Sequence, residues 1–188
     1  AIKVLTDSLN SKDIVVSTTG VASRELFEYR EEKNQTHERD FLTVGGMGHA
    51  SQIALGISLQ KLDRQVFCFD GDGAYLMHMG SSAINGNLAG HNFKHIVINN
   101  SAHDSVGAQP TVARNIDLLG IASSCGYKWA KKVSTNKALK NVLKDFIGCK
   151  GPAFLEIQVK TGFRSDLGRP TSTPKENKRA FMKFLKKK

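Results

Sequence analysis

Two apolar runs, each ending in a polar cluster, constrain this chain more than any other feature. Gln65-Val66-Phe67-Cys68-Phe69-Asp70 runs into Gly71-Asp72-Gly73, and Lys94-His95-Ile96-Val97-Ile98 runs into Asn99-Asn100, with 25 residues from 74 to 98 between the clusters. Each run reads as a buried strand, and the segment between them is long enough for a helix. The spacing therefore predicts a strand-helix-strand unit. In a parallel sheet both strands end on the same edge, so Asp72 and Asn100 converge there. A carboxylate and an amide oxygen are hard ligands suited to Mg²⁺, which completes its shell with phosphate and water. Glycines on both sides of Asp72 let the backbone approach a phosphate. A GDG triplet alone is usually a turn; Asn-Asn at this interval, with a strand before each, is what makes it a cofactor-site motif.

A chain of 188 residues with 40% hydrophobic residues can bury one sizeable core and is most simply one domain. No apolar stretch reaches membrane-spanning length and no basic-then-apolar leader opens the sequence, so a soluble, cytoplasmic protein is expected. Cys68, Cys125 and Cys149 are far apart and odd in number, which argues for reduced structural thiols. The formal charge of +10 is concentrated at one end: the last fourteen residues carry seven Lys or Arg against Glu176. Without interleaved aromatics or a nucleic-acid motif, that segment reads as a solvated terminal helix whose field attracts anionic substrates, not as a nucleic-acid or membrane patch.

In chain order, Ala1 to about Leu9 is spaced as a short amphipathic helix. Asp13-Ile14-Val15-Val16-Ser17 is a strand left through Thr18-Thr19-Gly20, and Arg24 to about Glu31 is a helix with Ser23 as its N-cap. Phe41-Leu42-Thr43-Val44 is a short strand followed by Gly45-Gly46-Met47-Gly48-His49-Ala50 and a helix through Leu59. The glycine cluster removes side chains where something must come close, and Met47 is its one bulky group. His49 is expected to start that helix. A helix runs from Ala74 to about Ala89. The loop from Ser101 to Thr111 holds more His, Asp, Ser and Gln than a connector needs, although His103-Asp104 could equally serve only to fix it. Ile116 to about Ser124 is a helix, Lys128–Val133 an exposed strand, Lys137 to about Ile147 a helix, and Pro152–Val159 the last strand. Residues 161 to 173 form a loop with Arg164 and Arg169, and Pro174 to Lys188 is a terminal helix with proline at its start. This alternation predicts a doubly wound, mostly parallel α/β domain of about six strands.

The motifs extend over nearly the whole chain. Ser17-Thr18-Thr19-Gly20, Ser23 to Glu28, Gly45 to Ser51, the GDG triplet, Asn99 to Gly107 and Gly168-Arg169-Pro170-Thr171-Ser172 together resemble the C-terminal, diphosphate-binding half of phosphonopyruvate decarboxylases. These are thiamine-diphosphate enzymes, and the β subunit of sulfopyruvate decarboxylase is a near relative. The resemblance implies that residues 1–188 form a diphosphate-binding domain, with 174–188 as a basic C-terminal helix. It implies Mg²⁺ held by Asp72, Asn100 and the Ala102 carbonyl, and diphosphate surrounded by Thr19, Gly20, Gly73, Ala74 and Ser105. Gly45 would offer its carbonyl to the aminopyrimidine, and Met47 would bend the cofactor.

The implied reaction is nonoxidative decarboxylation of phosphonopyruvate to phosphonoacetaldehyde, with sulfopyruvate as the alternative substrate. Relatives of the pyruvate decarboxylase type place an acid at the position of Val106. Valine cannot transfer a proton, which leaves His103, Asp104 or a partner domain. Arg169 is the candidate clamp for the substrate's anionic tail, ahead of Arg164 and Arg114. The glutamate that activates the cofactor belongs to a pyrimidine-binding domain, and no segment here resembles one. An α-type partner subunit or a longer polypeptide, and an oligomer, are thus implied. The competing expectation is a noncatalytic diphosphate-binding or assembly module.

Overall fold

The computed structural model describes residues 1–187. Its elements, in order, are α1 (Ile2–Asp7), β1 (Ile14–Ser17), α2 (Val21–Glu32), β2 (Asp40–Leu42), α3 (Ala50–Gln60), β3 (Val66–Gly71), α4 (Asp72–Met77) and α5 (Ser81–Leu88). There follow β4 (Phe93–Asn99), β5 (Ala102–His103), β6 (Gln109–Pro110), α6 (Leu118–Ser124), β7 (Trp129–Val133), α7 (Asn136–Gly148), β8 (Ala153–Gln158) and α8 (Pro174–Lys186). Six strands form one sheet in the order β2-β1-β3-β4-β8-β7, every pair parallel.

Strand alternation builds two cores. Val15, Phe67, Phe69, Ile96 and Leu155 point to one face, where they pack against Leu26 and Phe27 of α2 and Leu139, Leu143 and Phe146 of α7. Val16, Cys68, Val97 and Phe154 point to the other face, against Ala54 of α3, Leu118 and Ala122 of α6, and Phe181 and Phe184 of α8. Helices on both faces leave no strand of the interior wet, which is why these strands read as continuous apolar runs. The chain reverses its direction of travel between β1 and β3, because β1 is flanked by β2 on one side and β3 on the other. The C-terminal ends of these two strands therefore border a crevice, the customary binding place of such a sheet.

Helix ends follow local chemistry. Thr173 and Glu176 form a capping box at α8 with Pro174 at its start, and Thr135 accepts a bond from Ala138 N–H at α7. Asn177 of α8 accepts from Leu42 N–H at 3.0 Å and donates to the Asp40 carbonyl at 2.8 Å, so α8 covers the free edge of β2.

Several boundaries differ from those the sequence predicts. The segment from Ala74 to Ala89 is two helices, not one, with a turn at His78–Gly80. A straight helix would hold Tyr75 and Ser82 about 10 Å apart along its axis; the turn brings their hydroxyls to 2.8 Å in the core. Ser23 is not the N-cap of α2. That helix starts at Val21, and the Ser23 hydroxyl donates instead to the Thr18 carbonyl at 2.6 Å. The second strand covers Asp40–Leu42, leaving Val44 exposed. The polar segment after Asn100 is a small ribbon of β5 and β6, not an unstructured loop. The predicted end of the last helix, Lys188, lies outside the described residues. The three cysteines are free, with Cys68 buried in β3. Among the described residues no helix is long and apolar enough to cross a membrane.

Candidate active site

A cavity of about 440 Å³ opens at the C-terminal edge of the sheet, over the crevice between β1 and β3. Thr19, Met47, Asp72, Gly73, Ala74, Asn100, Ala102, His103, Asp104 and Ser105 all line it. The topology thus gathers residues from widely separated stretches of sequence, because parallel strands deliver every following loop to one edge.

Asp72 begins α4 directly at the end of β3, with no intervening loop. Its carboxyl is 2% exposed and has no ion-pair partner among the described residues. Burial pushes its pKa above the usual carboxylate range, opposed by the Thr111 hydroxyl, which donates to Oδ2. Thr111 is far from Asp72 in sequence; it returns because the β5/β6 ribbon folds the chain back, fixed by a bond from Thr111 N–H to the Ser101 carbonyl at 2.9 Å.

The Asn-Asn pair divides between scaffold and cavity. Asn99 points into the sheet, where its Nδ2 donates to Glu156 Oε1 at 2.9 Å. Its Oδ1 accepts from Ser101 N–H at 3.0 Å and Ser101 Oγ at 3.1 Å. These bonds hold Ser101 at a φ of 59°, a left-handed conformation uncommon for serine. The resulting reversal leaves Asn100 and Ala102 on the cavity side. Asn100 donates from Nδ2 to Asp104 Oδ2 at 2.5 Å and accepts at Oδ1 from Ala102 N–H at 3.2 Å. Opposite Ala102 in the ribbon stands Pro110, which has no N–H to give the Ala102 carbonyl.

A carboxylate, an amide oxygen and a main-chain carbonyl make a hard oxygen donor set that fits Mg²⁺. A buried, unpaired carboxyl is also the group that a divalent cation would neutralise. Around it, α4 presents the N–H groups of its first turn, Gly73 and Ala74 among them, which have no partner within the helix. Ser105 closes the other side: a Cβ on Gly20 would lie 3.5 Å from its Oγ. Thr19 Oγ1 accepts from Gly45 N–H at 3.3 Å, tying the β1 loop to the glycine cluster. Gly45, Gly46 and Gly48 have φ values of 72°, 58° and 85°, a region that other residue types rarely adopt without strain. Met47, held between them, reaches the cavity wall.

His103 packs on the GDG triplet so closely that a Cβ on Gly73 would overlap its ring. The glycine makes room for this imidazole. Asp104 Oδ2 is doubly engaged, by Asn100 and by Gly162 N–H at 2.8 Å. Gly20 and Gly45 border the cavity without lining it. Arg169 is exposed and outside it, so the structure does not bring this candidate clamp to the other site residues. Arg114 is also outside, and Arg164 pairs with Glu25 and Glu28 on α2. The segment after β8, by contrast, contributes Lys160, Gly162 and Phe163, which motif reading passed over because no pattern marks them.

A buried group below the site is structural. Cys68, Asp70 and His95 place ligand-type atoms within 4.8 Å of one another. His95 Nδ1 is 2.9 Å from the Tyr127 hydroxyl and Nε2 is 3.5 Å from Asp70, so the ring is already partnered within an aromatic core of Tyr75, Phe93 and Phe154.

The family model described as "Thiamine pyrophosphate enzyme, C-terminal TPP binding domain" matches residues 18–157. The chain belongs to this family. Phosphonopyruvate decarboxylase of Streptomyces viridochromogenes is 37% identical over 171 residues, covering 91% of this chain and 42% of that protein. Sulfopyruvate decarboxylase subunit beta of Methanocaldococcus jannaschii is 36% identical over 146 residues, covering 77% of this chain and 72% of that one. The chain therefore spans about two fifths of the phosphonopyruvate decarboxylases it matches but most of the sulfopyruvate β subunit. Benzoylformate decarboxylase from Polynucleobacter necessarius shares the fold, with a TM-score of 0.70 at 15% identity over 87% of this chain and 33% of that one.

Proposed function

We propose that this chain is the diphosphate-binding half of a thiamine-diphosphate- and Mg²⁺-dependent decarboxylase acting on phosphonopyruvate, a small 2-oxo acid with an anionic tail. The observation that carries this reading is the cavity wall formed by Asp72, Asn100, Ala102, Gly73, Ala74 and Ser105, with hard oxygen ligands beside the first turn of α4. The likeness to phosphonopyruvate decarboxylases over 91% of the chain supports the substrate class.

Asp72, Asn100 and the Ala102 carbonyl would hold the metal. Thr19, Gly20, Gly73, Ala74 and Ser105 would hold the diphosphate, and Gly45 and Met47 would fix the shape of the cofactor. The bound thiazolium ring supplies the electron sink for loss of CO₂. This chain's own residues orient and neutralise. Thr111 and the Asn100–Asp104 bond would fix the ligand geometry, and His103, packed against Gly73 in the cavity lining, would hold or move a proton. Asp104, with Oδ2 committed twice, acts chiefly as a positioning residue.

Residues 1–188 would constitute one domain, with 174–188 as its basic terminal helix. The activating glutamate would come from a pyrimidine-binding domain, on a separate subunit or a longer polypeptide, in a cytoplasmic oligomer. The second reading, the β subunit of a sulfopyruvate decarboxylase, is favoured by the fuller coverage of those relatives. The test combines the chain with its pyrimidine-binding partner, thiamine diphosphate and Mg²⁺ and measures CO₂ release. Turnover of phosphonopyruvate, abolished by Asp72→Ala without loss of the complex, supports the proposal. Turnover of sulfopyruvate alone moves the assignment to the second reading. Release from neither leaves a noncatalytic assembly module.

A further inference from the structure

The substrate's anionic tail needs a cation in the cavity, and the arginines proposed from the sequence do not supply it. Arg169 lies outside, and Arg164 is bound by Glu28, Glu25 and Asp166. Among the described residues only two lysines contribute to the lining, Lys3 and Lys160. Lys3 is committed to Glu32 at 2.6 Å and lies over the Tyr29 ring. Lys160 is exposed and has no acidic partner within 4.0 Å among the described residues.

The position of Lys160 is fixed by the site itself. Val159 N–H donates to the Asn99 carbonyl at 2.9 Å, extending the β4–β8 pairing to the residue just before Lys160. Two residues later, Gly162 N–H donates to Asp104 Oδ2, the same oxygen that accepts from Asn100. The main chain around Lys160 is therefore tied on one side to Asn99 and on the other, through Asp104, to Asn100. Phe163 forms the neighbouring apolar wall, with Arg24 over its ring at 5.3 Å. An ammonium on a four-carbon stem, rooted beside the proposed metal ligands but unpaired, is suited to meet an anionic group at the far end of a short substrate.

We propose that Lys160 is the specificity-determining residue that binds the terminal phosphonate or sulfonate of the 2-oxo acid. The inference rests on the decarboxylase reading for its substrate class, and Asp104 becomes the link that couples tail recognition to the metal loop.

The experiment uses the complete assembly with its pyrimidine-binding partner and titrates the unreactive anions phosphonoacetate and sulfoacetate by calorimetry. Loss of one charged hydrogen bond should weaken the preferred anion by about ten- to hundredfold in Lys160→Met. Lys160→Arg should retain most of the affinity and Lys183→Met, on α8, all of it. In kinetics, Lys160→Met should raise KM for the tailed substrate while sparing kcat, and should leave pyruvate unaffected. Unchanged anion binding in Lys160→Met, or equal losses with pyruvate and phosphonopyruvate, overturns the assignment. Wild-type assembly that binds phosphonoacetate but releases no CO₂ from any 2-oxo acid defeats the decarboxylase reading alone, and the titration still decides Lys160.

Discussion

Asn99→Asp replaces one atom and inverts the logic of the scaffold below the site. In the wild type the amide nitrogen donates to Glu156 Oε1 at 2.9 Å, with Glu156 2% exposed. The variant sets two carboxyls face to face at that distance. Two full charges so placed repel by about 6 kcal/mol at an effective dielectric constant of about 20. Taking up a proton at pH 7 costs less, about 4 kcal/mol for a carboxyl that ordinarily titrates near 4. The pair therefore binds a proton in the folded state that the unfolded chain lacks, and stability falls as pH rises. The expected destabilisation is about 4 kcal/mol at pH 7 and about 1.4 kcal/mol at pH 5. Urea titrations followed by the fluorescence of the single tryptophan, Trp129, measure both. Adding Glu156→Gln restores a donor opposite the introduced carboxylate, and the double variant should recover to within about 1 kcal/mol of the wild type and lose its pH dependence. An equal defect at both pH values, or no recovery in the double variant, refutes this account of Asn99.

Four further outcomes follow from the same structure. Lys94 is fully buried and donates to the Cys149 carbonyl at 2.9 Å, and burial lowers its pKa from 10.5 to about 8. The unfolded chain binds this proton more tightly, so between pH 8 and 10.5 the wild type should gain about 3 kcal/mol relative to Lys94→Met; parallel denaturation profiles across that range would contradict it. Arg30 grips Asp40 through two bonds of 2.8 and 2.9 Å in the buried edge of the sheet, so Arg30→Ala should cost about 3–5 kcal/mol in denaturant and Arg30→Lys should recover little. Gly73→Ala should destabilise by about 1–3 kcal/mol by displacing the His103 ring, and a thermal-shift cycle should show that penalty shrinking in a His103→Ala background. Thr111→Val removes a hydroxyl that lowers the Asp72 pKa, so the pH midpoint for Asp72 protonation, followed by carboxyl NMR on the metal-free chain, should rise above that of the wild type.

The sheet was legible because burial on both faces writes each strand as an unbroken apolar run, and the intervals between runs leave room only for crossovers. The convergence of Asp72 and Asn100 was legible because a carboxylate and an amide at the ends of adjacent parallel strands are delivered to the same edge of the sheet. What escaped was set by side-chain geometry between distant segments. The Tyr75–Ser82 bond bends a stretch whose periodicity is continuously helical. Thr111 reaches Asp72 only because Pro110 and Ala102 pair in a two-residue ribbon, too short to register as a pattern. Lys160 lies in no motif at all, whereas Arg169 lies in a conspicuous one, yet the loop after β8 brings Lys160 to the cavity and leaves Arg169 outside.

The division of the Asn-Asn pair has a local cause. A motif lists neighbours in sequence, whereas the end of a strand sends consecutive residues to opposite sides. Asp70 faces the core with His95, and Asp72, two residues on but inside a helix, faces the cavity. Asn99 faces Glu156 and Asn100 faces the cavity. His103 covers Gly73 while Asp104 reaches back to Asn100 and Gly162. Each motif is therefore half scaffold, and the halves respond differently to repair. A defect introduced at Asn99 can be cancelled by changing its partner Glu156, because their bond is internal to the fold. A defect at Asp72 or Asn100 has no such remedy if their partner is the metal, and that asymmetry separates the residues that hold the site from those that meet its ligands.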